Sequence, residues 1–397
     1  MPYREFRIDH ATGPAIVSAP LCKQRPWPGV KPMRAMFLGL LCLVLPAACT
    51  FGTDERDGEG EAPPQAEAFQ AGTDPLASRD PAPGETPAGG TPDRSPRPVM
   101  QAQVVLERLG FAPGVIDGRE GLAFANALKG FQEARGLPVT GKLDDASRAG
   151  LVKWANIPAT RVVTIPSSWG AETFAPIPDS MAAQAEMAHI GYTSMVEKLA
   201  ERFHTTPEVL AELNFGVMHF TVGQEVRVPN VGADAIDPSV VDNKEWLATL
   251  RSLGVSTAQP DVARIIVDES EGWLKAFDGN GRLAAMFTVT TGSRHDPLPI
   301  GDWQVKGVAY NPPFAFDPEL FWDVPDSAEK QRLPPGPNGP VGVVWIDLTK
   351  EHYGIHGTPE PQAIGRSDSH GCVRLTNWDA ARLALMVSGS TKVEFRH

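Results

Sequence analysis

Near its C-terminus the chain reads Ser369-His370-Gly371-Cys372-Val373-Arg374-Leu375, with His356-Gly357-Thr358 a short loop upstream. Any fold that uses these residues together must bring a strand end and a tight turn to one place. Cysteine attacks as the thiolate, and a neighbouring imidazole can remove its proton. Gly371 lets the backbone turn sharply before Cys372 and leaves N–H groups able to face an oxyanion. The pattern points to acyl transfer through a cysteine nucleophile. A buried, inert thiol is the alternative.

Cysteine usage favours the nucleophile. The four cysteines are Cys22, Cys42, Cys49 and Cys372, and the first three fall in or before a targeting segment, residues 1–49. Met36 to Ala48 is an apolar run preceded by Lys31 and Arg34 and followed by Cys49. That order reads as a secretory signal, and the run is too short for a comfortable membrane span. Residues 1–32 do not read as a signal, so Met33 and Met36 are candidate starts. After processing, Cys372 would have no thiol partner, and a free cysteine in an oxidising compartment is a liability unless it is used. Residues 50–99 are rich in Pro, Gly, Ala, Glu and Asp. Such a segment cannot bury enough apolar surface to order itself and reads as a tether.

The 397 residues leave room for about two or three domains. The net charge of -12 argues against a nucleic-acid partner, which would want a basic face. Over residues 100–155, Phe124, Leu128 and Phe131 give a helix its buried face. It lies between a helix ending at Leu109 and another from Asp144 to Leu151, joined by Gly-rich turns. Over residues 190–230, Ser194 and Glu197 form a capping box and Thr206-Pro207 starts a second helix, with Val226 and Val228 alternating as a strand. His189, His204 and His219 have no Cys or carboxylate at metal-ligand spacing and read as surface or packing residues.

From residue 262 to 397 the pattern changes to short strands. Arg264–Val267, Trp273–Phe277, Leu283–Thr290, Val341–Leu348 and Tyr353–His356 read as strands, with Asp278-Gly-Asn-Gly281 as a hairpin turn. Thr376 and Asp379 cap a helix running to about Val387, and Lys392–Phe395 reads as a last strand. Asn311–Pro340 is a long Pro-rich loop carrying Phe314, Phe316, Phe321 and Trp322. It reads either as a wall of the cleft or as a packed surface loop.

These residues carry resemblances. His356-Gly-Thr, Ser369-His-Gly-Cys-Val-Arg-Leu375, Ile364-Gly365 and Leu333-Pro-Pro-Gly-Pro-Asn-Gly-Pro-Val-Gly342 together resemble the L,D-transpeptidase family of bacterial cell-wall enzymes, the YkuD-like catalytic domain. Leu109-Gly110, Asp117-Gly118, Phe131-Gln132, Gly136-Leu137 and Leu143-Asp144 resemble the peptidoglycan-binding domain 1 family. Tyr192, Leu199-Ala-Glu-Arg-Phe203, Leu213-Asn214, Val222-Gly-Gln224 and Val228-Pro229 are similar to a LysM module. Leu45-Pro-Ala-Ala-Cys49 resembles a lipoprotein box with Cys49 as the lipidated residue. The implied architecture is multidomain α+β. A small three-helix wall-binding domain and a LysM-like module precede a β-rich catalytic domain.

The resemblance implies a periplasmic or cell-envelope enzyme, tethered to the membrane by lipid on Cys49 and acting on peptidoglycan without cofactor or metal. Cys372 is the nucleophile and His356 the general base and acid, oriented by the backbone carbonyl of Gly357. Gly371 and Cys372 supply the oxyanion N–H groups, and His370 shapes the site, although its imidazole is a second candidate base. Arg374 holds a substrate carboxylate or makes a structural ion pair, and Ser369 contacts substrate or closes the turn. The implied reaction releases D-Ala from a tetrapeptide stem and forms a 3–3 crosslink. The alternatives are an L,D-carboxypeptidase or hydrolase, attachment of a lipoprotein to the wall, and an inert wall-binding scaffold.

Overall fold

The computed structural model describes residues 93, 95–231, 236–320, 324, 327–367 and 369–397. The targeting segment with Cys49, nearly all of the 50–99 tether, and Phe321 and Trp322 lie outside the described residues.

Three helices come first, α1 (Pro98–Leu109), α2 (Leu122–Ala134) and α3 (Asp145–Leu151). Pro98 opens α1 at a position whose N–H has no helical partner. Asp144 caps α3, its carboxylate accepting from Ser147 N at 2.9 Å. Phe124, Leu128 and Phe131 of α2 are all buried against Leu106 and Leu109.

The next unit comprises β1 (Thr160–Thr164), α4 (Met181–Ala185), α5 (Met195–Arg202), α6 (Pro207–Leu213) and β2 (Glu225–Pro229). β1 pairs antiparallel with β2, from Thr160 opposite Pro229 to Thr164 opposite Glu225. Ile165, Leu199, Phe203, Leu210, Val226 and Val228 form its core. The module expected over residues 190–230 therefore takes in a strand well upstream of 190. That strand was not visible locally because its partner lies far along the chain and Arg161 and Thr164 interrupt its apolar character. Ser194 caps α5 by accepting from Glu197 N, while Glu197 reaches back to Thr193 N at 2.6 Å.

The remaining elements are α7 (Lys244–Leu253), β3 (Arg264–Asp268), β4 (Trp273–Phe277), β5 (Leu283–Thr288), β6 (Gly301–Tyr310), β7 (Phe314–Phe316), β8 (Gln331–Leu333), β9 (Val344–Leu348), β10 (Gly354–His356), β11 (Val373–Arg374), α8 (Asn377–Met386) and β12 (Lys392–Arg396). Eight strands form one sheet in the order β11-β10-β9-β6-β12-β3-β4-β5. β10 with β11 and β12 with β3 run parallel, and the other neighbours antiparallel. β6 is the hinge of this sheet. Its first residues pair with β12, those from Val305 onward pair with β9, and the register shifts between Val305 and Gly307. A bulge at such a point bends the strand and strengthens its twist. It also breaks the two-residue alternation, which is why β6 was not anticipated.

One face of the sheet packs on α8 and α7 through Val267, Phe287, Ile346, Val393, Trp378 and Trp246. The core of the sheet unit thus reaches back beyond residue 262 to α7. Part of the other face packs on the three-helix unit. Ile266, Trp273 and Met286 join the core of the three-helix unit. The turn after α1 hydrogen-bonds to β5 through Ala112 N to Met286 O at 2.8 Å and Met286 N to Gly110 O at 3.2 Å. The edge strand is covered in this way, and an uncovered edge would be open to pairing with other chains.

A buried ionic cluster joins all three units. Glu107 Oε1 of α1 accepts from Arg382 Nη1 of α8 at 2.9 Å and lies 3.0 Å from His204 Nδ1. His204 Nε2 lies 2.9 Å from Leu253 O, and its ring stacks on Trp378 with centroids 4.9 Å apart. Burial opposes the charge on Glu107, yet Arg382 and His204 hold its carboxyl below the usual range. Burial, together with the Glu107 charge, pushes Asp379 well above its usual range. Arg382→Leu leaves Glu107 buried without its cation. It is expected to lower the unfolding free energy by about 3–5 kcal/mol. Urea denaturation measures this, and a loss below about 1 kcal/mol, the level of an exposed pair, would mean that the cluster does not hold the units together.

Candidate active site

Parallel pairing of β10 and β11 sets Ile355 opposite Val373 and His356 opposite Arg374. Alternate residues of a strand share a face. Ile355 and Val373 enter the core under α8, so His356, Arg374 and Cys372, one residue before β11, look out on the opposite face. Trp345 of β9 pairs with His356 and occupies the same face. Its indole stacks on the imidazole with centroids 5.5 Å apart and planes inclined by 22°.

The imidazole is fixed from behind. His356 Nδ1 lies 2.7 Å from Gly357 O. A carbonyl oxygen only accepts, so Nδ1 carries the hydrogen and Nε2 keeps its lone pair. Burial, helped by the positive charge of Arg374, pushes His356 down to about 3, with the Gly357 hydrogen bond opposing. Burial pushes the Cys372 thiol up to about 11, with the Gly354 N–H and Arg374 opposing. At neutral pH the two groups are therefore a neutral thiol and a neutral imidazole. Each is only 3% exposed.

The cover over the thiol is apolar. Cys372 packs in one cluster with Ile190, Phe314, Phe316, Leu333, Val341 and Trp345. Phe314 and Phe316 belong to the Pro-rich loop. Ile190 comes from the segment between α4 and α5, and its backbone is bonded to Pro335 O at 3.0 Å and Asn338 N at 3.2 Å. Ile190→Ser is expected to raise the alkylation rate of Cys372 by iodoacetamide about tenfold, equivalent to ~1.4 kcal/mol in the opening equilibrium. An unchanged rate would mean that this segment does not limit access to the thiol.

Gly371 takes φ = 97°, and a Cβ there would sit 2.6 Å from Tyr353 Cε1, so the turn before Cys372 admits only glycine without rearrangement. Ser369 is buried. Its N–H donates to Thr291 O at 2.8 Å and its hydroxyl to Cys372 O at 2.6 Å. The single hydroxyl hydrogen is thus used in closing the turn and does not face a substrate. His370 is half-buried within that turn. Arg374 N donates to Thr290 O at 2.8 Å. Its charge acts on His356, Cys372 and Glu360, while no hydrogen bond or ion pair engages its guanidinium among the described residues. Among those residues, too, no three His, Cys, Asp or Glu side chains come together as a metal site.

Two residues of the site were not anticipated. Trp345 stacks on His356, and Tyr353 lies against Gly371. Burial, then the nearby Cys372, raises the Tyr353 hydroxyl above its usual range. Trp345 could have been found by counting pleats along the strand that pairs with His356. Tyr353 carried no comparable signal.

Residues 262–395 match the family model described as "L,D-transpeptidase catalytic domain", and residues 95–149 match the "Putative peptidoglycan binding domain". The "Putative L,D-transpeptidase YkuD" of Bacillus licheniformis is 49% identical over 59 residues, 15% of this chain and 36% of its own. The "Probable L,D-transpeptidase YbiS" of Escherichia coli is 41% identical over 63 residues, 16% of this chain and 20% of its own. The chain spans about a third of the length of its two YkuD relatives, 36% and 35%. Among solved structures, L,D-transpeptidase 3 of Mycobacterium tuberculosis with a faropenem-derived adduct aligns at 18% identity and TM-score 0.28. That alignment covers 35% of this chain and 61% of the other. A L,D-transpeptidase catalytic domain of the YkuD family thus occupies residues 262–395, behind a peptidoglycan-binding-type domain at residues 95–149.

Proposed function

We propose that this chain is a peptidoglycan L,D-transpeptidase that works through a thioester on Cys372. The observation that carries the reading is the Nδ1–H of His356 held on Gly357 O at 2.7 Å. It leaves Nε2 free to accept a proton on the face that Cys372 shares. Once a substrate has displaced the apolar cover, Nε2 takes the thiol proton. The thiolate then attacks the carbonyl joining the L-centre of the diamino acid to D-Ala. N–H groups of Gly371 and Cys372 face the developing oxyanion. The imidazolium returns its proton to the departing D-Ala nitrogen as the C–N bond breaks. An amine of a second stem then attacks the thioester, its proton passes to Nε2, and the thiol re-forms with a 3–3 crosslink made.

Arg374 suits a carboxylate of the donor stem, because a guanidinium pairs with carboxylate in a bidentate fork. The three-helix unit and the LysM-like unit hold the enzyme on the wall. Residues 1–49 direct it to the cell envelope, with lipid on Cys49 as the anchor. Incubation with a carbapenem followed by intact-mass and peptide mass spectrometry tests the site. The expected result is one adduct, on Cys372. An unmodified protein that still binds sacculi would favour a scaffold.

A further inference from the structure

His356 is oriented by Gly357 O, and Gly357 in turn packs against a buried amide. The side chain of Asn377, fully buried at the start of α8, wedges between two glycines. A Cβ added at Gly342 or at Gly357 would overlap Asn377 Oδ1. Oδ1 accepts from Val343 N at 3.2 Å. Nδ2 donates to Pro337 O at 2.9 Å and to Glu201 Oε1 at 2.7 Å. Two acceptors on one side and an N–H donor on the other leave the amide a single orientation.

Glu201 does not belong to the catalytic unit. It stands on α5, in the unit built on β1 and β2, and is itself buried. Its carboxyl lies under Tyr192, with Glu197 as the nearby charge. Burial pushes it up to about 7 while the hydrogen bonds from Tyr192 and Asn377 work against the rise. A buried ionisable side chain on a neighbouring unit, spent on an amide packed against the glycine whose carbonyl orients the base, is more than packing requires.

We propose that Glu201 is a positioning residue for His356, acting through Asn377 and Gly357, so that docking of the α5 unit completes the acyl-transfer site. The inference rests on the transpeptidase reading only for its kinetic consequence, since the geometry of His356 can be read without turnover. Glu201 touches neither thiol nor imidazole. It bonds the amide that the Gly357 peptide leans on, and the wall-binding part of the chain thereby takes part in setting the base.

The test compares Glu201→Asp and Glu201→Gln in the full chain. Aspartate keeps the ionisable carboxyl but is one methylene too short to reach Asn377 Nδ2. Glutamine keeps the reach and an acceptor oxygen, and resembles the neutral acid that burial favours. The readouts are the ring nitrogen resonances of His356 by NMR and the rate of carbapenem acylation. Glu201→Asp is expected to lose the hydrogen-bonded Nδ1–H signature and to acylate about ten- to a hundredfold more slowly. Glu201→Gln is expected to keep both. Wild-type ring signals in Glu201→Asp, or equal losses in the two variants, would overturn the positioning role. A wild-type protein that never acylates would instead count against the transpeptidase reading, and the ring signals would still decide the role of Glu201.

Discussion

Cys372→Ala is expected to abolish carbapenem labelling and to reduce acyl transfer to background, a fall on the order of a millionfold if the residue is the sole nucleophile. The expectation follows from where the thiol sits. Cys372 is the one cysteine among the described residues and shares a buried sheet face with His356, whose Nε2 keeps its lone pair. Ser369 is the nearest hydroxyl in sequence, and its hydrogen is committed to Cys372 O. Ser369 is therefore not placed to substitute. The fold should tolerate the change, since removing one sulfur from an apolar pocket costs about 1–2 kcal/mol. Cys372→Ser, which keeps the shape, should be nearly as inactive, because a serine hydroxyl gives up its proton far less readily than a thiol.

His356→Gln is expected to slow acylation by about 10²–10⁴, the range of a lost general base. It should also leave a second mark, on the pH dependence of stability. Burial sets His356 at about 3 in the folded protein against 6.5 as its ordinary value. The unfolded chain therefore binds the extra proton first. The stability tied to neutral His356 is complete above about 6.5 and is lost progressively as the pH falls toward 3. Its ceiling is about 5 kcal/mol, from about 3.5 pH units at 1.36 kcal/mol each. Glu201, raised to about 7, acts in the opposite direction, adding stability as the pH falls from 7 toward 4.5. The comparison of wild type with His356→Gln removes that shared contribution. The variant should lose less stability between pH 6.5 and 4 than wild type does, measured by denaturation at fixed pH. Parallel curves would mean that His356 is not buried in its neutral form.

Much of this architecture could be read from local signals, and what escaped was non-local. Asp278-Gly-Asn-Gly281 marked a hairpin, and β4 and β5 lie on either side of it. Thr376 and Asp379 marked the start of α8, and Thr376 Oγ1 accepts from Asp379 N at 3.1 Å. The apolar spacing of Phe124, Leu128 and Phe131 marked α2. By contrast, β6 carries a bulge that hides its period, β1 finds its partner only after three α-helices have intervened, and α7 joins a core whose strands begin later. The site divides in the same way. The candidate residues could be named from their motif, because thiol, imidazole and glycine declare themselves. That Cys372, His356 and Arg374 share a face depends on the parallel register of β10 and β11. The cover by Ile190 and the link from Glu201 to Asn377 depend on docking between units, and neither leaves a trace in local pattern.

The decisive measurement is incubation of the protein with disaccharide-tetrapeptide, with products read by mass spectrometry and Cys372→Ala in parallel. A crosslinked dimer that has lost one D-Ala, formed by wild type and not by the variant, is the expected result. Tripeptide monomer alone would move the acceptor from amine to water and make the enzyme a hydrolase. No product from a correctly folded wild-type protein would contradict a transpeptidase at Cys372.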